Sequence, residues 1–114
     1  MNNLSNLTVV IVTYKTDVEI LQNCINSIDK DIKIIIIENS DKIKKEDQTL
    51  LNQYKNLRIQ YTGKNLGYGG GNNYGFNLTN TDFVLVANPD IIFDENFFKN
   101  IDKYLCDDLD FSII

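Results

Sequence analysis

Histidine is absent from the 114 residues, proline occurs once, and there are only two cysteines. The missing histidine excludes Ser-His and Cys-His nucleophile pairs, histidine-ligated zinc and imidazole acid–base chemistry. Any function therefore falls to carboxylates, amides, hydroxyls and backbone amides. Basic residues are outnumbered, eleven against sixteen acidic, for a net charge of −5. No basic field exists to hold nucleic acid or an anionic membrane, and a phosphate ligand must be held locally. No apolar run approaches the roughly 20 residues that span a bilayer, and no signal-peptide core opens the chain, so it reads as soluble and cytoplasmic. Cys24 and Cys106 lie far apart within helical apolar patterns and read as small buried hydrophobes in a reducing compartment. What is present, 43% hydrophobic and 24% charged residues, describes one ordinary domain with a core and excludes disorder.

Leu7–Tyr14 is apolar and β-branched almost throughout, without period-two alternation, which predicts a strand covered on both faces. Thr16 with Glu19 fits a capping box, and Val18, Leu21, Cys24, Ile25 and Ile28 continue at helical spacing to about Lys30. A second apolar strand ends at Ile37 and runs into Glu38-Asn39-Ser40-Asp41. A helix follows from Asp41 to about Asn56, then an alternating edge strand through Leu57, Ile59 and Tyr61. All six glycines fall between Gly63 and Gly75. Phe83–Ala87 is a further buried strand, Asp94 is placed to cap a helix carrying Phe97, Phe98, Ile101, Tyr104 and Leu105, and Phe111–Ile114 looks like a strand just begun. This β-α-β-α-β-(Gly-rich)-α-β-α-β order predicts a three-layer α/β/α fold with a mostly parallel sheet, in which ligands gather at the carboxyl ends of the strands.

Three polar groups follow those ends, and each has two readings. Glu38 places a carboxylate where it can accept from a ribose or a base imide, or it belongs to a turn that caps the next helix. The glycine cluster can let backbone approach a diphosphate, or it is a flexible surface loop. It lacks the last glycine of G-x-G-x-x-G and the Gly-Lys-Ser/Thr of a P-loop. Asn88-Pro89-Asp90 holds an amide and a carboxylate around a fixed φ, suited to one hard cation shared with phosphates, or it is an Asn-Pro-Asp turn. Their meeting at one sheet edge favours the ligand readings. A receiver-like signalling domain needs paired acids after the first strand, which Val12-Thr13-Tyr14-Lys15 lacks. A sugar nucleotidyltransferase needs its glycine-rich loop there.

Taken together, Val12-Thr13-Tyr14-Lys15, Cys24-Ile25-x-Ser27-Ile28, Glu38-Asn39-Ser40, Asn65-x-Gly67-Tyr68-Gly69-Gly70-Gly71-Asn72-Asn73-x-Gly75 and Ala87-Asn88-Pro89-Asp90 resemble the front half of a family 2 glycosyltransferase with the GT-A, Rossmann-like nucleotide-diphospho-sugar transferase fold. The rhamnosyltransferase-like branch is the most similar. The resemblance covers about residues 7 to 114 and implies a single partial domain, 1–114, truncated to the nucleotide-sugar-binding half.

It implies nucleotide-binding roles for Thr13, Tyr14, Glu38, Asn65, Gly67, Gly69, Gly70, Asn73 and Asn88, and a metal-ligating role for Asp90. Glu38 stands where the family's usual aspartate contacts base or ribose, and Asn88 replaces the first aspartate of D-x-D. The implied chemistry is sugar transfer with inversion from a nucleotide-diphosphate sugar, dTDP-rhamnose or a UDP-hexose, to a glycan or lipid-linked glycan acceptor, assisted by Mg²⁺ or Mn²⁺. No nucleic acid partner is implied. The catalytic base is expected beyond Ile114, so the alternative is a non-catalytic nucleotide-binding or interaction module of the same fold. Self-association through the truncated edge, and a peripheral position at the inner membrane face in the full-length protein, complete these expectations.

Overall fold

The computed structural model describes residues 3–41 and 45–106. After a 3₁₀ turn at Asn3–Asn6 come β1 (Leu7–Thr13), α1 (Val18–Asn26), β2 (Lys33–Glu38), α2 (Lys45–Gln53), β3 (Leu57–Tyr61), α3 (Gly67–Leu78), β4 (Phe83–Ala87) and α4 (Phe97–Cys106). The four strands form one all-parallel sheet in the order β3-β2-β1-β4. All seven residues of β1 are buried, as its unbroken apolar sequence requires of a strand with helices on both sides.

Alternate strand residues define the two cores. On one face Leu7, Val9, Ile11, Ile34, Ile36, Leu57, Leu85 and Ala87 pack with Leu21, Cys24 and Ile25 of α1, Leu50 of α2 and Phe98 and Ile101 of α4. On the other, Val10, Val12, Ile35, Ile37 and Val84 pack with Tyr74 and Leu78 of α3. The chain winds from β1 outward to β3, then returns over the opposite face to lay β4 on the far side of β1. The strand order thus reverses between β1 and β4, which makes their carboxyl ends the topological switch point where open α/β sheets hold ligands.

The predicted order of elements stands, with local corrections. Asp17 rather than Thr16 caps α1, its carboxylate accepting from the Glu19 amide at 2.8 Å. The helix closes at Asn26 rather than Lys30, because Ser27 N and Ile28 N turn back to Cys24 O and Ile25 O and tighten the last turn. Asp94 does not sit at the first turn of α4. Its side chain bonds Asn96 N and its carbonyl Phe97 N, forming a turn ahead of the helix. The expected start of α2 at Asp41 and the strand at Phe111–Ile114 reach outside the described residues, as does the side chain of Cys106.

The largest correction concerns the glycines: Gly67–Gly75 lies within α3 and makes up most of it, rather than forming a loop ahead of it. Glycine weakens an isolated helix, but here tertiary packing demands it. A Cβ on Gly71 would lie 2.7 Å from Val12 Cγ1, and one on Gly75 would lie 2.5 Å from Val10 Cγ1. These two residues, one turn apart, let the helix backbone rest on the valines of β1. Among the described residues no helix is long and apolar enough to cross a membrane.

Candidate functional site

Parallel strands put every carboxyl end on one edge, so Thr13, Glu38 and the Asn88–Asp90 turn share a rim with β1 in the middle. Thr13 and Glu38 are register partners on adjacent strands, and both point to the α1/α2 face. Glu38 is only 6% exposed. Its Oε1 accepts from Thr13 Oγ1 at 2.9 Å, and its Oε2 from Ser40 Oγ at 2.7 Å and Lys15 N at 3.2 Å. Lys15 holds φ at 53°, a left-handed conformation uncommon for a residue with a Cβ, and this bond helps secure it. A carboxylate has about four lone-pair sites, so the protein itself uses most of Glu38's capacity.

Beside Glu38 lies a cavity lined by Thr13, Thr16, Val18, Leu21, Ile36, Asp47 and Ile59, with a volume of about 10 Å³. That is room for about one water, so a nucleoside base enters only if the rim opens. Asp47 reaches it from α2 and accepts a hydrogen bond from the Tyr61 hydroxyl. Burial first, then that bond and the charges of Asp47 and Glu38, push the Tyr61 hydroxyl well above the usual tyrosine range.

Asn39, 2% exposed, joins the tip of β2 to the start of α3. Its backbone N–H donates to Thr13 O, its Nδ2 to Gly67 O at 2.8 Å, and its Oδ1 accepts from Thr62 Oγ1 and Leu66 N. Asn65 is exposed and its Oδ1 takes the Gly67 amide at 2.8 Å, while Gly67 adopts φ +77°. Gly69 and Asn73 are exposed on α3, Gly70 lies over Leu66, and Tyr14 is half exposed with Lys15 Nζ 5.1 Å from its ring.

Across the rim, Asn88 and Asp90 are exposed after β4. The Cys24 thiol, fully buried on α1, donates to Asn88 O at 3.9 Å. Its pKa is pushed up to about 11 by burial and then by the Asp90 charge. No group of three acidic or cysteine side chains gathers among the described residues. Asp90 and Asn88 offer one carboxylate and one amide oxygen, hard donors of the kind that suit Mg²⁺ or Mn²⁺ where phosphate oxygens and water complete the shell.

Of the sequence-predicted residues, Thr13 and Glu38 are brought into direct contact. Asn65 and Gly67 form one turn beside them through Asn39, and Asn88 and Asp90 occupy the same rim beyond β1. Asp47, Tyr61 and the clamping role of Asn39 were missed. Asn39 follows a buried strand and carried a signal; Asp47 sits in a charged stretch that carried none.

Residues 8–114 match the family described as Glycosyl transferase family 2, and the chain belongs to that family. Among solved structures, the crystal structure of S. aureus TarS 1-349 is similar, with a TM-score of 0.72 at 17% identity, covering 89% of this chain and 32% of that one. S. aureus TarS gives a TM-score of 0.71 at 17% identity, covering 89% of this chain and 19% of that one. At such identity the likeness shows the fold, GT-A, and this chain spans about a third or less of those chains' length. No curated protein sequence matches it.

Proposed function

We propose that this chain is the donor-binding half of an inverting glycosyltransferase. The observation that carries the reading is that the tips of β2, β1 and β4 stand side by side on one edge of the sheet, which includes the β1/β4 switch point, with the Asp90 carboxylate exposed after the strand that crosses over. Thr13, Tyr14 and Glu38 would receive the nucleoside, and Asn65, Gly67, Gly69, Gly70 and Asn73 would shape the diphosphate-sugar side. Asn88 and Asp90 would meet the diphosphate through Mg²⁺ or Mn²⁺. When bound, that cation offsets the charge developing on the leaving diphosphate. An acceptor hydroxyl oxygen would bond to the anomeric carbon as the bond from that carbon to the phosphate oxygen breaks, the diphosphate leaves and the hydroxyl proton passes to a general base.

The resemblance to the rhamnosyltransferase-like branch favours dTDP-rhamnose or a UDP-hexose as donor and a glycan or lipid-linked glycan as acceptor. Asn88, in the place of an aspartate, favours a second reading in which the fold binds nucleotide without turnover.

Calorimetric titration of UDP and dTDP with and without Mn²⁺ tests the proposal. The expected result is Mn²⁺-dependent binding that weakens about tenfold or more in Asp90→Ala, the scale of one lost charge-assisted contact. A folded parent that binds neither nucleotide refutes the reading. Binding without sugar transfer by the full-length protein selects the second.

A further inference from the structure

Asp90 has an exposed carboxylate, and among the described residues no side chain hydrogen-bonds it. Its position is therefore set by the backbone of the 88–93 loop. Pro89 fixes one φ in that loop, and Ile91 N closes a turn onto Asn88 O at 3.2 Å. Both ends of the loop are held by one helix. At the leading end the buried Cys24 thiol of α1 donates to Asn88 O. At the trailing end Ser27 Oγ, on the residue that caps the C-terminus of α1, accepts from Phe93 N at 3.0 Å. The same hydroxyl donates to Cys24 O at 2.7 Å, so its oxygen is oriented with a lone pair toward the loop. Phe93 also packs on Phe97 and Phe98, with ring centroids 5.0 and 5.1 Å away, which makes the trailing anchor stiff.

We infer that Ser27, aided by Cys24, is a positioning residue for Asp90: α1 grips the 88–93 loop at both ends and so sets where the carboxylate meets a cation carried by a nucleoside diphosphate. The inference rests on the functional reading above. It gives the Cys24-Ile25-x-Ser27-Ile28 segment a role that neither capping nor core packing supplies. A serine needed only to end α1 would donate to Cys24 O and leave Phe93 N to solvent.

The test measures the cation directly. Mn²⁺ affinity is read from water-proton relaxation in the presence of saturating UDP or dTDP, whichever binds the parent, for the whole chain and for Ser27→Ala and Ser27→Thr. Ser27→Ala is expected to weaken Mn²⁺ roughly fivefold, the scale of one lost hydrogen bond. Nucleotide affinity without Mn²⁺ should stay within about twofold, and Ser27→Thr, which keeps the hydroxyl, should restore the cation. If Ser27→Ala lowers the melting temperature but leaves Mn²⁺ affinity at the parent value, Ser27 is only a helix stop and the inference fails while the functional reading stands. If the parent binds neither nucleotide, both fail.

Discussion

At the scale of single residues, Thr13, Glu38, Asn39 and Ser40, buried at the rim, each hold hydrogen-bond partners that constrain them chemically. Glu38 is surrounded by donors from its own chain, namely a threonine, a serine and a backbone amide. Cys24 illustrates the opposite bias, since burial and the nearby Asp90 both favour its neutral form. A thiol whose folded pKa is raised from 9.0 to about 11 contributes stability that is fully present below pH 9 and is lost as pH rises toward 11. The melting temperature is therefore expected to fall between pH 9 and 11, with a shallower slope in Cys24→Ala. The tyrosine bonded to Asp47 acts in the same direction, so the slope is reduced rather than abolished. An equal slope in Cys24→Ala assigns the whole effect elsewhere.

At the scale of elements, α3 is the informative case. Its glycines were legible as an anomaly, but their structural meaning was not, because helix propensity and turn chemistry both argue against a helix there. What decides the matter is distance to the sheet, which no local pattern encodes. Gly75→Ala is expected to destabilise the fold by about 1–3 kcal/mol, because the added methyl overpacks against Val10. Gly69→Ala meets open space in the same helix and should stabilise by about 0.4–1 kcal/mol through the unfolded chain. Denaturant midpoints moving the same way in both variants contradict this assignment.

The strands were legible for a simple reason. Runs such as Val9–Val12 and Ile34–Ile37 have no polar face to expose, so they are buried on both sides and parallel. Helix ends were less so, because Asp17 and Thr16 are both competent caps and only the fold chooses between them. The site divided along the same line. Side chains that immediately follow a strand, Glu38 and Asn88–Asp90, were found from position alone. Asp47 and Tyr61 meet across α2 and β3, a contact that depends on how the helix lies on the sheet.

At the scale of the whole molecule, β1 lies between β2 and β4 and carries helices on both faces, while β3 and β4 each have one hydrogen-bonded neighbour among the described strands. Native-state hydrogen exchange should therefore rank the amides. Those of Val9–Val12 are expected to exchange only through global unfolding, and those of Leu57–Tyr61 through smaller openings. Equal protection in both strands would show that the sheet opens as one unit.

Asn39 adds a mechanical consequence to this picture. Its backbone N–H ties it to the neighbouring strand, and its side-chain amide ties it to the turn after β3 and to the first residue of the glycine-bearing helix. The cleft beside Glu38 is lined from α1 and α2 and not by Asn39, so a guest that shifts those helices leaves this knot intact, whereas one that displaces the tip of β2 pulls on the start of α3.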